Sequence, residues 1–159
     1  MLSFCFTKKS HTVLCGIFLI GVFILIDQII KDIVVLSGNI DILCNYGIAM
    51  GIELPQITFL IMWGLIMICV IYFWMQKISE IFKRGEQVVN PTPAQKFFVQ
   101  LPYILILSGG ISNMFDRVFQ GCVIDYIPFL SISSFNVADV FISVGAVIIL
   151  WQSFSEIKN

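Results

Sequence analysis

Two aspartates pose the chemical question in this chain. Asp125 is flanked by Val123, Ile124, Tyr126 and Ile127, and Asp139 closes the stretch Phe135-Asn136-Val137-Ala138-Asp139, with no basic residue within one helical turn of either. Two carboxylates that approach closely at an apolar–polar boundary cannot both ionise, so they share a proton. One then takes a proton from water while the other donates to a carbonyl oxygen, which is amide hydrolysis without a covalent intermediate or a metal. The sequence offers no competing set. The lone histidine, His11, is in the N-terminal tail, and there is no GxSxG, no CxxC and no His–Cys cluster for a triad or a zinc site. No metal and no cofactor are expected.

Other polar residues gather with these two. Asp27, Gln28 and Lys31 close one apolar run, Asn45 follows it, Asn113, Asp116 and Arg117 close a later run, and Asn136 and Asp139 open the last. Asp27 and Lys31 are spaced i,i+4, Asn113 reaches Asp116 at i+3 and Arg117 at i+4, and Asn136 and Asp139 are i,i+3, so each group is a set of helix neighbours. For Asp27 with Lys31 and for Asp116 with Arg117 this leaves two readings open. They are local pairs that cap or snorkel, or they belong to a site.

The elements that must position these residues follow from composition. The chain has 159 residues, 58% apolar and 12% charged, with a mean hydropathy of +0.97. A soluble domain runs nearer half apolar and a quarter charged. Soluble enzymes and disordered binders are excluded, and 9 Lys+Arg against 10 Asp+Glu provide no basic face for nucleic acid. Apolar runs at about 13–30, 57–75, 97–115 and 135–154 are each long enough to cross a bilayer as a helix. The expected fold is an all-α membrane protein, a single membrane domain over residues 1–159 with four transmembrane helices and a small extramembrane region. Lys8 and Lys9 ahead of the first run raise a signal-peptide reading. No small-x-small site follows, and the run ends in Asp-Gln-x-x-Lys, so this span is expected to remain.

Lys8, Lys9, Lys77, Lys83, Arg84, Lys96 and Lys158 fall on one side of this topology, and only Lys31 and Arg117 on the other. Positive charge marks the cytoplasmic side. Both termini are therefore expected in the cytoplasm and the whole polar layer at the outer face. Trp63, Trp74 and Trp151 are expected as interfacial anchors near span ends. Cys44 and Cys122 share the outer side; their pairing is left open, with free thiols the favoured reading.

Taken in order, Asp27-Gln28-x-x-Lys31, NYGIAMG from Asn45, GGISNMFDR from Gly109, VID ending in Asp125 and FNVAD ending in Asp139 resemble the successive motifs of bacterial lipoprotein signal peptidase, signal peptidase II. The resemblance spans Asp27 to Asp139, 113 of 159 residues, and the family's four-span topology with cytoplasmic termini matches the one read above. It implies a membrane-embedded aspartyl endopeptidase of the bacterial inner membrane, with its site near the periplasmic face. Its substrates would be prolipoproteins, cleaved just before a diacylglyceryl-modified cysteine, and membrane lipid would be a further partner. Asp125 and Asp139 would be catalytic. Asp27, Lys31, Asn45, Asn113, Arg117 and Asn136 would line and organise the site, and Asp116 would hold the end of span three. Met50 stands where the family usually has Phe, and Ser112 where Gly often precedes Asn. The segment from Asp125 to Asp139 is short, which puts loop packing in question rather than the two aspartates. The outer segment 38–56 is expected to hold a few strands and a short interfacial piece.

A transporter or channel using Asp27, Asp125 and Asp139 as a proton or cation path is the alternative, since intramembrane acids mark such routes. Its weakness is that the cytoplasmic halves of the spans read as almost wholly apolar. A noncatalytic assembly factor whose polar layer only packs helices is a second alternative.

Overall fold

The computed structural model of the chain describes residues 8–38, 42–47, 55–87, 91–129 and 133–157. Four helices dominate it: α1 (Lys9–Ser37), α2 (Gln56–Gln87), α3 (Pro93–Phe119) and α4 (Val137–Ile157). All four are long and apolar enough to span a membrane. Four three-residue strands lie in the connections after α1 and α3: β1 (Leu43–Asn45), β2 (Val123–Asp125), β3 (Ile127–Phe129) and β4 (Ser133–Phe135). β1 pairs antiparallel with β2, and β3 with β4.

The helices overrun the apolar stretches that announce them. α1 has 29 residues, about 43 Å at 1.5 Å per residue, and continues six residues past Lys31. A charge that reads as the end of a span is thus inside the helix, because Asp27 one turn back and Asp116 on a neighbouring helix both pair with it. α4 begins later than the apolar run does, since Ser133–Phe135 is taken up in β4. The extramembrane strands come mostly from residues 123–135 rather than from 38–56, where only β1 is described. Residue Met50 lies outside the described residues.

α3 is the central helix. Its apolar stretch is 61% buried, against 11%, 6% and 11% for those of α1, α2 and α4. Its start follows from sequence: Thr92 caps the helix, its hydroxyl accepting from the Gln95 N–H at 3.3 Å while Gln95 Oε1 accepts from the Thr92 N–H at 2.8 Å, and Pro93 sits at the first helical position, where no N–H is needed. Pro102 inside α3 has no N–H for the Phe98 carbonyl. In a membrane that carbonyl needs another donor, and Gln152 Nε2 of α4 supplies it at 3.0 Å. Gly109 is a close-approach position, since a Cβ there would collide with the Ala138 carbonyl oxygen. That contact seats the first turn of α4 against α3.

Ile20, Trp74, Ile78, Tyr103, Ile104 and Leu107 form the buried apolar core of the bundle. Trp74, at 4% exposed, is therefore a core residue and not an interfacial anchor. Trp63 is also drawn inward, donating from Nε1 to the Gly110 carbonyl at 3.0 Å, whereas Trp151 is exposed. Leu14, Phe18, Leu25, Ile61, Leu65, Val147 and Leu150 face outward, as lipid-facing residues do when the surrounding solvent is hydrocarbon.

Gly121, with φ +81°, turns the chain from α3 into β2, a backbone conformation that side chains with a Cβ rarely adopt. Immediately after it, Cys122 forms a disulfide with Cys44 of β1. The free-thiol reading of this pair is thus corrected. Two cysteines 78 residues apart carry no local signal of pairing; the β1–β2 ladder brings their Cα atoms to 5.5 Å.

Candidate active site

The start of α4 organises the site. A helix leaves its first N–H groups without intrahelical partners, and here three different elements supply acceptors. Tyr126 OH accepts from the Val137 N–H at 3.4 Å, Asp27 Oδ1 of α1 from the Ala138 N–H at 2.8 Å, and Asn136 Oδ1 from the Asp139 N–H at 3.0 Å. Asp139 Oδ2 in return accepts from the Asn136 N–H at 3.2 Å. Asn136 and Asp139 form a reciprocal cap, which places the Asp139 carboxylate at the third residue of α4.

Asn136 joins the two aspartates. Its Nδ2 donates to Asp125 Oδ1 at 2.7 Å and to Asn113 Oδ1 at 3.2 Å. Asn113 Nδ2 donates to Asp139 Oδ1 at 2.8 Å, and Asn45 Nδ2 from β1 donates to Asp125 Oδ2 at 2.8 Å. Each carboxylate thus accepts two hydrogen bonds. Asp125 on β2 is 1% exposed. Burial pushes its carboxyl above the ordinary range; the Asn45 bond opposes this, the Asp139 charge adds to it, and Asn136 and Lys31 oppose it.

Beneath this layer lies a buried ion cluster. Lys31 Nζ is 2.7 Å from Asp27 Oδ2 and 2.7 Å from Asp116 Oδ2, with all three side chains at most 1% exposed. Lys31 also donates to Asn113 Oδ1 at 3.1 Å. That oxygen accepts from Lys31 and Asn136 together, which turns the Asn113 amide N–H group toward Asp139. Ser112 Oγ donates to Asp27 Oδ2 at 2.7 Å, and Gln28 Nε2 donates to Ser112 Oγ and Asp116 Oδ1, both at 2.9 Å. Ser112 thus adds a bond to the cluster.

Of the two readings left open for Asp116 and Arg117, the local pair is not the one formed. Consecutive helix residues point apart, so Asp116 turns inward to Lys31 while Arg117 reaches the β1 connection. Arg117 Nη2 donates to the Gly47 carbonyl at 2.7 Å and Nη1 to the Tyr46 carbonyl at 3.4 Å, and its guanidinium lies 4.2 Å from the centre of the Phe59 ring. All nine residues singled out from sequence meet in this one region. Gln28, Ser112, Tyr126 and Phe59 complete it without having been assigned to it. Gln28 and Ser112 could have been found as polar residues inside the matched motifs, whereas nothing local marks Tyr126 or Phe59. Among the described residues no group of three or more His, Cys, Asp or Glu side chains is disposed to hold a metal ion.

A second buried polar group lies toward the other end of the bundle, where Thr12, Lys96 and Gln100 are at most 9% exposed. The halves of α1 and α3 away from the strands are therefore less uniformly apolar than the sequence implies. Ile20, Ile104 and Leu107 of the core lie between the two groups along α1 and α3.

Fold and site together define a multi-pass membrane protein with paired aspartates at the end of its bundle where the extramembrane strands lie. Residues 19–155 match the family described as Signal peptidase (SPase) II. The chain belongs to the signal peptidase II family, and is a membrane peptidase. It is 30% identical to the lipoprotein signal peptidases of Brucella ovis and Brucella melitensis, in alignments covering 92% of this chain and 93% of each relative. Its fold is similar to two solved structures described as a bacterial membrane enzyme determined by the in meso method. One has a TM-score of 0.69 and 24% identity over 89% of this chain and 88% of that one; the other has 0.67 and 25% over 87% and 91%. None of these points to a transporter.

Proposed function

We propose that the chain removes signal peptides from diacylglyceryl-modified prolipoproteins, cleaving before the lipid-modified cysteine, with Asp125 and Asp139 as its catalytic pair. The observation that carries this reading is Asn136, which bonds Asp125 through its side chain and Asp139 through its backbone. In the proposed reaction one carboxylate accepts a proton from water as the water oxygen attacks the scissile carbonyl carbon. The other, protonated, donates to the carbonyl oxygen. The resulting diol collapses as the amide nitrogen takes a proton, which releases the signal peptide as a carboxylic acid and the lipid-modified cysteine as a free amine. Asn45, Asn113 and Asn136 hold the carboxylates. Lys31, Asp27 and Asp116 fix Asn113 and the start of α4 from below, and Arg117 fixes the β1 connection.

The substrate class fits the placement. A lipid-anchored precursor presents its scissile bond near the membrane surface, and Asp139 lies in the first turn of a spanning helix. The Lys and Arg distribution supports cytoplasmic termini and a site at the periplasmic face of a bacterial inner membrane, with the whole chain as one membrane domain.

The test replaces each aspartate by asparagine in detergent-purified protein and follows signal-peptide release from a lipid-modified precursor, with equal thermal melts as the folding control. Each single change should abolish cleavage, and the double variant should be no worse than either, since residues acting as one unit are strongly non-additive. Asp32→Asn, outside the matched motifs, should remain near wild type, and chelators should have no effect. Substantial cleavage by Asp125→Asn or Asp139→Asn overturns the reading.

A further inference from the structure

The two strands that carry Asn45 and Asp125 are held very unequally. β2 is buried at all three residues, whereas in β1 Leu43 and Cys44 are exposed and Asn45 only half-buried. β2 is thus anchored by the protein interior. β1 has almost no apolar burial of its own, and a two-stranded ladder of three residues each is marginal unaided.

The ladder has two faces. Its register sets Leu43 opposite Asp125, Cys44 opposite Ile124 and Asn45 opposite Val123. Side chains alternate along a strand, so Asn45 and Asp125 share one face, and Cys44, Ile124 and the preceding Cys122 share the other. On the first face Asn45 Nδ2 donates to Asp125; on the second, the Cys44–Cys122 disulfide joins the same two elements. One covalent bond therefore backs the hydrogen bond that one catalytic carboxylate receives from β1.

We propose that the Cys44–Cys122 disulfide is a positioning element of this site, holding β1 on β2 so that Asn45 engages Asp125, and that its reduction disengages Asn45 and lowers turnover. The proposal rests on the catalytic reading of Asp125 given above. It makes the enzyme dependent on an oxidising compartment on the side its site faces. Cys44 is exposed and Cys122 is 4% exposed, so attack falls to the Cys44 sulfur. A dithiol reductant breaks the S–S bond by exchange: two electrons and two protons pass to the protein, both cysteines become thiols, and the reductant closes to its own cyclic disulfide. Oxidised glutathione reverses this, taking the two electrons and two protons as it becomes two glutathione thiols.

The experiment uses the full chain in detergent with a lipid-modified precursor peptide. Wild type is assayed oxidised, after dithiothreitol, and after re-oxidation with glutathione disulfide, beside Cys44→Ser, Cys122→Ser and the double variant. Reduction should lower kcat/KM roughly tenfold or more, in the range for losing one positioned donor, and re-oxidation should restore it. Both single variants and the double should match reduced wild type, and dithiothreitol should not lower the double variant further. The specific signature is the pH profile. Freeing Asp125 from the Asn45 amide should move the acid limb of kcat/KM to higher pH, as Asn45→Ala also should, while the helical melt stays close to that of the oxidised protein. Oxidised wild type that cleaves and continues undiminished after reduction, with alkylation confirming both thiols, overturns this proposal alone. A loss of activity without a shift of the acid limb also overturns it, since the disulfide would then serve only stability. Oxidised wild type that never cleaves overturns the catalytic reading and this proposal with it.

Discussion

Asn136 caps a helix and joins two carboxylates, and the two tasks separate by substitution. As the residue before α4 it accepts the Asp139 N–H at 3.0 Å, a cap whose removal costs about 1 kcal/mol. Its Nδ2 donates at 2.7 Å to the buried Asp125 carboxylate, a bond to a charged group contributing roughly 1.5–3 kcal/mol. Asn113 Oδ1 keeps Lys31 as a donor, so no third loss is added. Asn136→Ala should therefore cost about 2.5–4 kcal/mol, and at 2–4 °C per kcal/mol for a chain of this size its melting temperature should fall by roughly 5–16 °C. Asn136→Ser restores a good cap but cannot span to Asp125 with two amide hydrogens, so it should recover about 2–4 °C of that loss. Cleavage should follow the other task. Both variants should lose about 10²–10³ in kcat, because neither donates to Asp125. The assay pairs a thermal melt in detergent with initial rates of signal-peptide release. If serine restores stability and also near-wild-type turnover, Asn136 is only a helix cap and the bridge between the aspartates carries no catalytic weight.

Three further outcomes follow from the same contacts. Because burial raises the Asp125 carboxyl above its usual 3.8, the ionised form is lost at a higher pH on acidification. The acid limb of kcat/KM should then lie above pH 3.8, and a limb at or below that value would contradict the desolvated site. Lys31→Met leaves Asp27 and Asp116 buried without their shared cation, which should cost about 3–5 kcal/mol. Adding Asp27→Asn and Asp116→Asn should recover much of this in the melt, and an unchanged melting temperature for Lys31→Met would refute the ion cluster as a structural unit. A reporter fused after Asn159 should read cytoplasmic and one inserted at Gly38 periplasmic; an outward C-terminus would invert the proposed topology.

How far the molecule is legible in its sequence depends on the range over which each feature is decided. The four spans are legible because hydrocarbon excludes charge, so every residue within a span reports on its own whether it belongs there. The α3 start is legible because Thr92 and Gln95 satisfy each other three residues apart. The extent of α1 is not, since Lys31 reads as a stop until Asp116, 85 residues away, is seen to hold it. Three-residue strands are too short to show a period-2 pattern, and the partners of β1 and Cys44 lie about 80 residues distant. Whether Asp116 pairs with Arg117 stays open in the sequence for a related reason: adjacency in sequence is not adjacency in space, since neighbouring helix positions diverge.

The site itself lies between these extremes. Its residue types are legible because a polar side chain at a span end needs a reason, but their wiring is tertiary. One link was within reach. Asn136-x-x-Asp139 at the start of an apolar run is a capping pattern, and a cap fixes where its third residue points. Asp139 is thus aimed by the same hydrogen bonds that begin α4, while Asp27 and Tyr126 take the two remaining N–H groups of that turn. Building the helix start therefore places one carboxylate of the pair, and α4 cannot begin at Val137 without bringing α1, the α3–α4 connection and Asp139 together. A change that merely frays this turn should accordingly reduce cleavage before it unfolds the bundle, whose apolar core lies elsewhere, among Ile20, Ile104 and Leu107.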